Sequence, residues 1–412
     1  MRVVVAAPYL EGTCRAITGE LNDRGSLDVF LTGAAWPNLK AWQRSVFSRS
    51  GSPGKRLQSL YARKELSWLP AARIGRIGFR YELLQVILRR SRRTQGIASA
   101  AMYRGKGSFD RSVAASLRPG GADVVIGMAG SSECTFRRAS SLGMMTVLNM
   151  TNSHPEVQNR ILGEHAHLQE DHHEMMKPRV ARRVFREIVL ADHVLVPSQV
   201  VRQQLLERGL APFKVTVHPY GADTSRFRGS SRERSSRRGG SLQVVHVGQV
   251  SYRKGIRTLI DVARRLPDVD FTLVGPVTDR ALVRGLPQNV RLVGPLANSE
   301  LPGVLSRCDV AVMPTLEDAF GIAAIEVMAA SLPIVISSSA GAADFVEHGL
   351  SGYVIEPEDA NALLHHLQFL RDNRALAATM GDHARRSICE QDLTWAAYGR
   401  RVAESLHEWS TS

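Results

Sequence analysis

The sequence predicts two α/β domains, each a parallel sheet covered by helices on both faces, meeting across a cleft. Three observations carry this. Short apolar runs of strand length recur along the chain with helical stretches between them, the pattern of strands buried on both faces. One stretch without an apolar residue, Arg228 to Gly240 (RGSSRERSSRRGG), separates two such series and cannot contribute to a core. The 412 residues, 44% of them apolar, exceed what one core usually accommodates.

Taken in order, Arg2 to Ala7 reads as a strand, Cys14 to Arg24 as a short helix and Asp28 to Leu31 as a second strand. A basic segment with interleaved aromatics follows. Within it Leu83, Leu84, Ile87 and Leu88 give a helix one apolar stripe. Strand runs resume at Asp123–Ile126, Met145–Leu148 and Asp192–Pro197, and a helix over Gln199–Arg208 leads to Lys214–His218. After the polar stretch, strands are expected at Leu242–Val247, Asp270–Val274, Asn289–Val293, Asp309–Met313, Pro333–Ile336 and Tyr353–Ile355. The helices between them are Gly255–Arg265, Ser299–Arg307, Gly321–Ala330 and Asp359–Leu370, with helical character from Asn373 to the end. The expected organisation is a first domain over 1–227 with a basic, largely helical insertion at about 35–118. A linker or loop at 228–240, a second domain over 241–390 and a helix over 391–412 packing back on the first domain complete it.

Charge is segregated. The chain carries +14, and Lys40 to Lys106 holds sixteen basic residues against Glu65 and Glu82 alone. The remainder is close to neutral, so a coat for nucleic acid along the whole chain is a poor description. A local basic platform is the better one, facing anionic lipid or a polyanionic glycan; a merely solvated helical insertion is the alternative. Four isolated cysteines, Cys14, Cys134, Cys308 and Cys389, suit a reducing compartment and packing roles rather than a disulfide scaffold. The first apolar run is too short for a signal-peptide core, and no run reaches membrane-spanning length.

Two stretches could carry chemistry. Gly248-Gln249-Val250-Ser251-Tyr252-Arg253-Lys254-Gly255 lies between a strand and a helix. Two cations and free helix amides converge there, which suits a diphosphate; a solvated basic loop is the plain alternative. In Pro314–Glu326 a strand ends, two carboxylates follow, and a helix starts near Gly321. Glu326 interrupts an apolar helix, IAAIEVMAA, where an ionised carboxylate needs partners. Ligand hydroxyls or a neighbouring arginine would serve. The set Glu164, His165, His167, Asp171, His172, His173 and Glu174 lacks the HExxH order and reads as a solvated or acceptor-side helix rather than a metal site. Ser198 fits a helix N-cap.

These stretches in series resemble the retaining glycosyltransferases of family 4, which have the GT-B fold. The text GQVSYRKG, then LVGPVTD, NVRLVGPLANSELPGVLSRCDVAVMP and PTLEDAFGIAAIEVMAASLPIV, matches that family in content and order, and ADHVLVPSQVVRQQLLERGLAPFKVTVHPYGADTSRF resembles the end of its first domain. The likeness runs from about Thr146 to Val354 and is thin from Ala35 to Arg118. It implies Lys254 on the donor diphosphate, with Gln249 where the family often has an arginine and Arg253 as the candidate replacement. Asp318 matches the first carboxylate of a Glu-x7-Glu motif, for donor-sugar hydroxyls, one methylene shorter. Glu326 matches the second, for the nucleotide ribose. Phe320, Gly321 and Ile322 match the turn whose amides approach diphosphate and sugar, with Ala319 in place of a glycine. In the first domain His154 resembles a histidine directed at donor sugar and acceptor, or else caps the following helix. Gly12 stands in the loop that normally wraps the donor.

The implied activity is transfer of a sugar, with retention, from a nucleoside diphosphate sugar (UDP- or GDP-linked) to a hydroxyl of a glycan, lipid-linked or other cell-envelope acceptor. The expected catalytic residues are His154, Lys254 and Asp318. No permanently bound cofactor, metal or nucleic acid is expected, and the expected place is the cytoplasm, peripheral on the inner face of the membrane. A non-catalytic sugar-nucleotide module and a basic nucleic-acid binder are the rivals.

Overall fold

The computed structural model describes residues 1–33, 66, 68–77, 95–164, 175–227 and 240–411. The apolar runs become two all-parallel sheets, Rossmann-like as expected. The first holds β1 (Val3–Ala7), β2 (Leu27–Thr32), β3 (Ile74–Arg76), β4 (Val124–Met128), β5 (Met145–Asn149), β6 (His193–Val196) and β7 (Val215–Val217), in the order β3-β2-β1-β4-β5-β6-β7. All five residues of β1 and of β4 are buried, so alternation is absent from these strands. Its helices are α1 (Gly12–Asp23), α2 (Gln95–Ser116), α3 (Glu133–Ser141), α4 (Pro155–Glu164), α5 (Pro178–Leu190) and α6 (Gln199–Leu206).

The second sheet holds β8 (Leu242–Val247), β9 (Val269–Val274), β10 (Val290–Gly294), β11 (Val310–Met313), β12 (Ile334–Ser337) and β13 (Gly352–Ile355), in the order β10-β9-β8-β11-β12-β13. Around it run α7 (Ile256–Arg265), α8 (Leu301–Leu305), α9 (Ile322–Ala329), α10 (Ala360–Asp372) and α11 (Arg374–Glu390), and α12 (Trp395–Thr411) ends the chain. In each sheet the strand order reverses beside the first strand, at β1/β4 and at β8/β11. Ligands of open α/β sheets bind outside the strand carboxyl ends at such reversals.

Every strand expected in the second half is present within a residue or two. The edge strand β3 and the helices α3 and α5 have no counterpart among the expected elements; α2 falls in the insertion expected to be largely helical, and α4 is the helix following His154. Most of the basic insertion, with its stripe at Leu83, Leu84, Ile87 and Leu88, and the polar stretch up to residue 239 lie outside the described residues.

The last helix crosses to the first domain. Tyr398, Val402 and Leu406 of α12 are buried in the core that also holds Ile17 and Leu21 of α1. Contact is close enough that a Cβ on Gly399 would sit 2.6 Å from the Ala16 carbonyl oxygen, and one on Gly12 2.7 Å from the Trp395 ring. Replacing Gly399 with alanine should therefore force α1 and α12 apart. The expected cost is about 1–3 kcal/mol, read as a lower urea midpoint with an unchanged slope; an unchanged midpoint would contradict this packing.

Candidate functional site

Two loops from the second sheet build the site, and glycine geometry sets how they meet. Gly255, just before α7, is left-handed with φ +69, and a Cβ there would lie 1.8 Å from the Pro314 carbonyl oxygen. Only glycine permits that approach. The segment 249–254 is thereby laid along the end of β11, where the Arg253 carbonyl accepts from the Thr315 hydroxyl and the Leu316 amide, each at 2.9 Å. Gly321, at φ +89, similarly turns the chain into α9.

The charged side chains of these loops pair with one another. Arg253 Nη1 donates to the Glu317 carbonyl at 2.9 Å and lies 3.4 Å from Glu317 Oε2, while Nη2 donates to Gln249 Oε1 at 3.4 Å. Glu317 is only 4% exposed, and its other oxygen accepts from Ser153 Oγ of the first domain at 2.5 Å. Beside them Lys254 Nζ donates to Asp318 Oδ2. Burial alone would raise the Asp318 carboxyl, but the adjacent Lys254 ammonium outweighs it and holds the group below the ordinary aspartate value.

Gln249, Arg253, Lys254, Asp318, Phe320, Gly321 and Ile322 all line one cleft of about 460 Å³, a size usual for small-ligand sites. Thr151, Asn152, Gln158 and Tyr220 of the first domain close its other side. Phe320 packs edge-on against Tyr220, ring centroids 5.2 Å apart. Ser198 caps α6 as expected, accepting from the Val201 amide at 3.3 Å, and also donates across the junction to the Ala319 carbonyl at 2.8 Å.

Three anticipated residues lie elsewhere. His154 does not line the cleft. It is 2% exposed, its Nδ1 accepts from the Glu156 amide at 3.3 Å at the start of α4, and its own amide donates to Gln204 Oε1 at 2.9 Å. This is the capping alternative. Gly12 is exposed with the Trp395 ring packed beside it, and it is not among the residues lining the cleft. Glu326 is half-buried one turn beyond the cleft-lining Ile322 and Ala323, on the same face of α9. Its carboxylate forms no hydrogen bond or ion pair among the described residues. Burial pushes its pKa up, and Arg226 opposes that in part.

The motif marks Asp318 rather than its neighbour Glu317, and it does not mark His246. His246 Nδ1 lies 3.0 Å from the Val312 carbonyl, which can only accept, so Nδ1 carries the proton. Nε2 faces the cleft region without completing a hydrogen bond. Its position after three apolar residues of β8 was the available signal. Among the described residues no group of three or more His, Cys, Asp or Glu is placed to hold a metal. The cluster from His165 to Glu174 lies outside them.

Two parallel α/β sheets with a shared, cation-lined cleft at their carboxyl ends define the GT-B fold. The chain's second domain is a glycosyl transferases group 1 domain, the profile of that family matching residues 227–387. Glycogen synthase of Mycobacterium tuberculosis is 29% identical over 211 residues, covering 49% of this chain and 50% of that protein. The chain thus spans about half the length of the curated relatives first matched. Among solved structures, sucrose-phosphate synthase from Thermosynechococcus elongatus aligns with a TM-score of 0.66 at 18% identity, covering 100% of both chains. Anabaena HepE in complex with UDP-glucose aligns at 0.64 and 16% identity, covering 99% of this chain and 100% of that one. At these identities the structures speak for the fold.

Burial, the largest influence on both, depresses His154 and His246 from 6.5 to about 4. Between those values the unfolded chain binds protons that the folded chain does not, so their contribution is complete above pH 6.5 and lost as pH falls towards 4. The thermal midpoint of the wild type relative to a His154→Gln/His246→Gln variant should fall across that window. A difference independent of pH would contradict the assignment.

Proposed function

We propose that this chain is a retaining glycosyltransferase that moves a sugar from a nucleoside diphosphate sugar to an acceptor hydroxyl. The observation that carries the reading is the convergence of Lys254, Arg253 and the Gly321 turn on one cleft to which both domains contribute. A diphosphate entering it meets two cations and the free amides opening α9. UDP-glucose in the similarly folded HepE supports a uridine donor here, with GDP-sugars as the second donor class to test.

Asp318 is paired with Lys254. An arriving diphosphate competes for that ammonium, and the released carboxylate becomes an acceptor for donor-sugar hydroxyls. Lys254 then offsets charge developing on the leaving diphosphate. Departure and attack on the same face would let the leaving phosphate take the acceptor proton, preserving configuration. Glu326, whose carboxylate forms no hydrogen bond or ion pair among the described residues, is our candidate for the ribose hydroxyls. His154 is assigned a supporting role in shaping α4 rather than proton transfer. The acceptor we favour is a glycan or lipid-linked hydroxyl of the cell envelope, presented at the inner membrane face. The basic segment 40–106 is the support for that choice.

The test is a panel of UDP- and GDP-sugars scored for binding by calorimetry and for hydrolysis or transfer. Lys254→Ala should weaken UDP binding about 10- to 100-fold, the loss of a charge-assisted hydrogen bond worth about 1.5–3 kcal/mol. Glu326→Gln should weaken UDP more than inorganic pyrophosphate. Failure of the wild type to bind any nucleotide sugar or nucleoside diphosphate would overturn the reading.

A further inference from the structure

A second cavity, of about 520 Å³, opens on the first domain. Six arginines line it: Arg104, Arg111, Arg179, Arg182, Arg183 and Arg186. Their placement follows from helix periodicity. On α5 the four arginines stand at i, i+3, i+4 and i+7, which is one face. On α2 Arg104 and Arg111 stand seven apart with Gly107 between them. A Cβ on Gly107 would lie 3.1 Å from Arg183 Nη2, so the glycine makes room for a guanidinium between the two helices.

Such a face opposes folding, because like charges one turn apart repel and the two nearby carboxylates, Glu133 and Glu187, offset them only in part. Among the described residues only Arg186 has a carboxylate partner, Glu133, at 2.7 and 3.0 Å. Arg182 donates to the Pro178 carbonyl at 3.4 Å. Arg104, Arg111, Arg179 and Arg183 form no ion pair or hydrogen bond among the described residues. Glu187, the nearby buried carboxylate, is taken up by the amides of Gly130 and Ser132 at 2.5 and 2.7 Å. The cavity therefore presents several planar, bidentate donors without an anion to receive them, the geometry that suits phosphate oxygens.

Its location gives that anion a use. Gly130, in the cavity wall, follows β4, while Thr151 and Asn152 of the donor cleft follow the adjacent strand β5. Both openings thus lie at the carboxyl ends of neighbouring strands, about 5 Å apart in the sheet. We propose that this cavity seats a phosphate or diphosphate group carried by the acceptor, which holds the acceptor's hydroxyl towards the donor cleft. The role as acceptor site rests on the proposed function; the anion site does not.

The experiment titrates inorganic pyrophosphate into the full chain with the donor cleft saturated by UDP. Wild type should bind, and Arg111→Gln/Arg183→Gln should bind at least tenfold more weakly while its UDP affinity stays within twofold and its thermal midpoint does not fall. Parallel arms use glucose 6-phosphate and phosphatidic acid vesicles against phosphatidylcholine vesicles. Arginine-dependent binding in the first supports a soluble phosphorylated acceptor, and in the second alone a lipid-borne one. Absence of arginine-dependent binding in every arm, or tighter arginine-dependent binding of a single-stranded polynucleotide than of any phosphate probe, would overturn the proposal. If UDP itself fails to bind, the donor reading falls, while pyrophosphate titration of the variant against wild type still reports on the arginine cavity.

Discussion

Glu317 is held almost wholly out of water, with one carboxylate oxygen given to Ser153 of the first domain and the other facing Arg253 of the second. An ionised carboxylate so placed is unfavourable unless its lone pairs are filled and its charge is balanced. The fold satisfies both conditions only when the two domains meet and when Arg253 lies flat along the end of β11. That requirement fixes the loop 249–254, and the loop in turn fixes Lys254. The cleft's chemistry and the domain junction are consequences of the same buried charge.

Around that anchor the junction is tied by polar contacts and aromatic rings, alongside a buried apolar cluster that draws on both domains. Ser198 reaches the Ala319 carbonyl, the Gln199 amide donates to Asp344 Oδ2 at 2.9 Å, and Tyr220 gathers Phe320, Tyr398 and Trp395 at centroid distances of 5.2, 5.5 and 6.0 Å. Directional bonds of this kind set a definite arrangement while contributing modestly each. Trp395 and Tyr398 belong to the helix that crosses back over α1, so the chain's last element helps shape the floor beside the cleft.

The two cationic sites differ in how charge is managed. In the donor cleft each cation has a carboxylate, Glu317 or Asp318, so an incoming anion must displace a partner. In the arginine cavity four of the six guanidiniums have no ion pair or hydrogen bond among the described residues. A site of the first kind discriminates by exchange of partners; one of the second kind attracts anions over a longer range and weakens with salt. Both can operate on one molecule because their charged side chains come from different domains.

The apolar runs, their lengths and the glycines at strand-to-helix turns were enough to read both sheets, since strands buried on two faces leave a continuous signal in the sequence. The same local text marked Lys254, Arg253, Asp318 and the Gly321 turn, because their elements abut in sequence. It could not show that Glu317, not Asp318, is the buried anchor, because the choice is made by Ser153, 164 positions away. Nor could it show that His154 spends its Nδ1 on α4, or that Trp395 packs beside Gly12. The arginine face of α5 was present as a spacing, but it became a cavity only when α2, from a distant part of the chain, brought Arg104, Gly107 and Arg111 against it. Periodicity and burial are local properties that a sequence states directly; which charge meets which partner is decided by packing between elements that only the folded chain brings together.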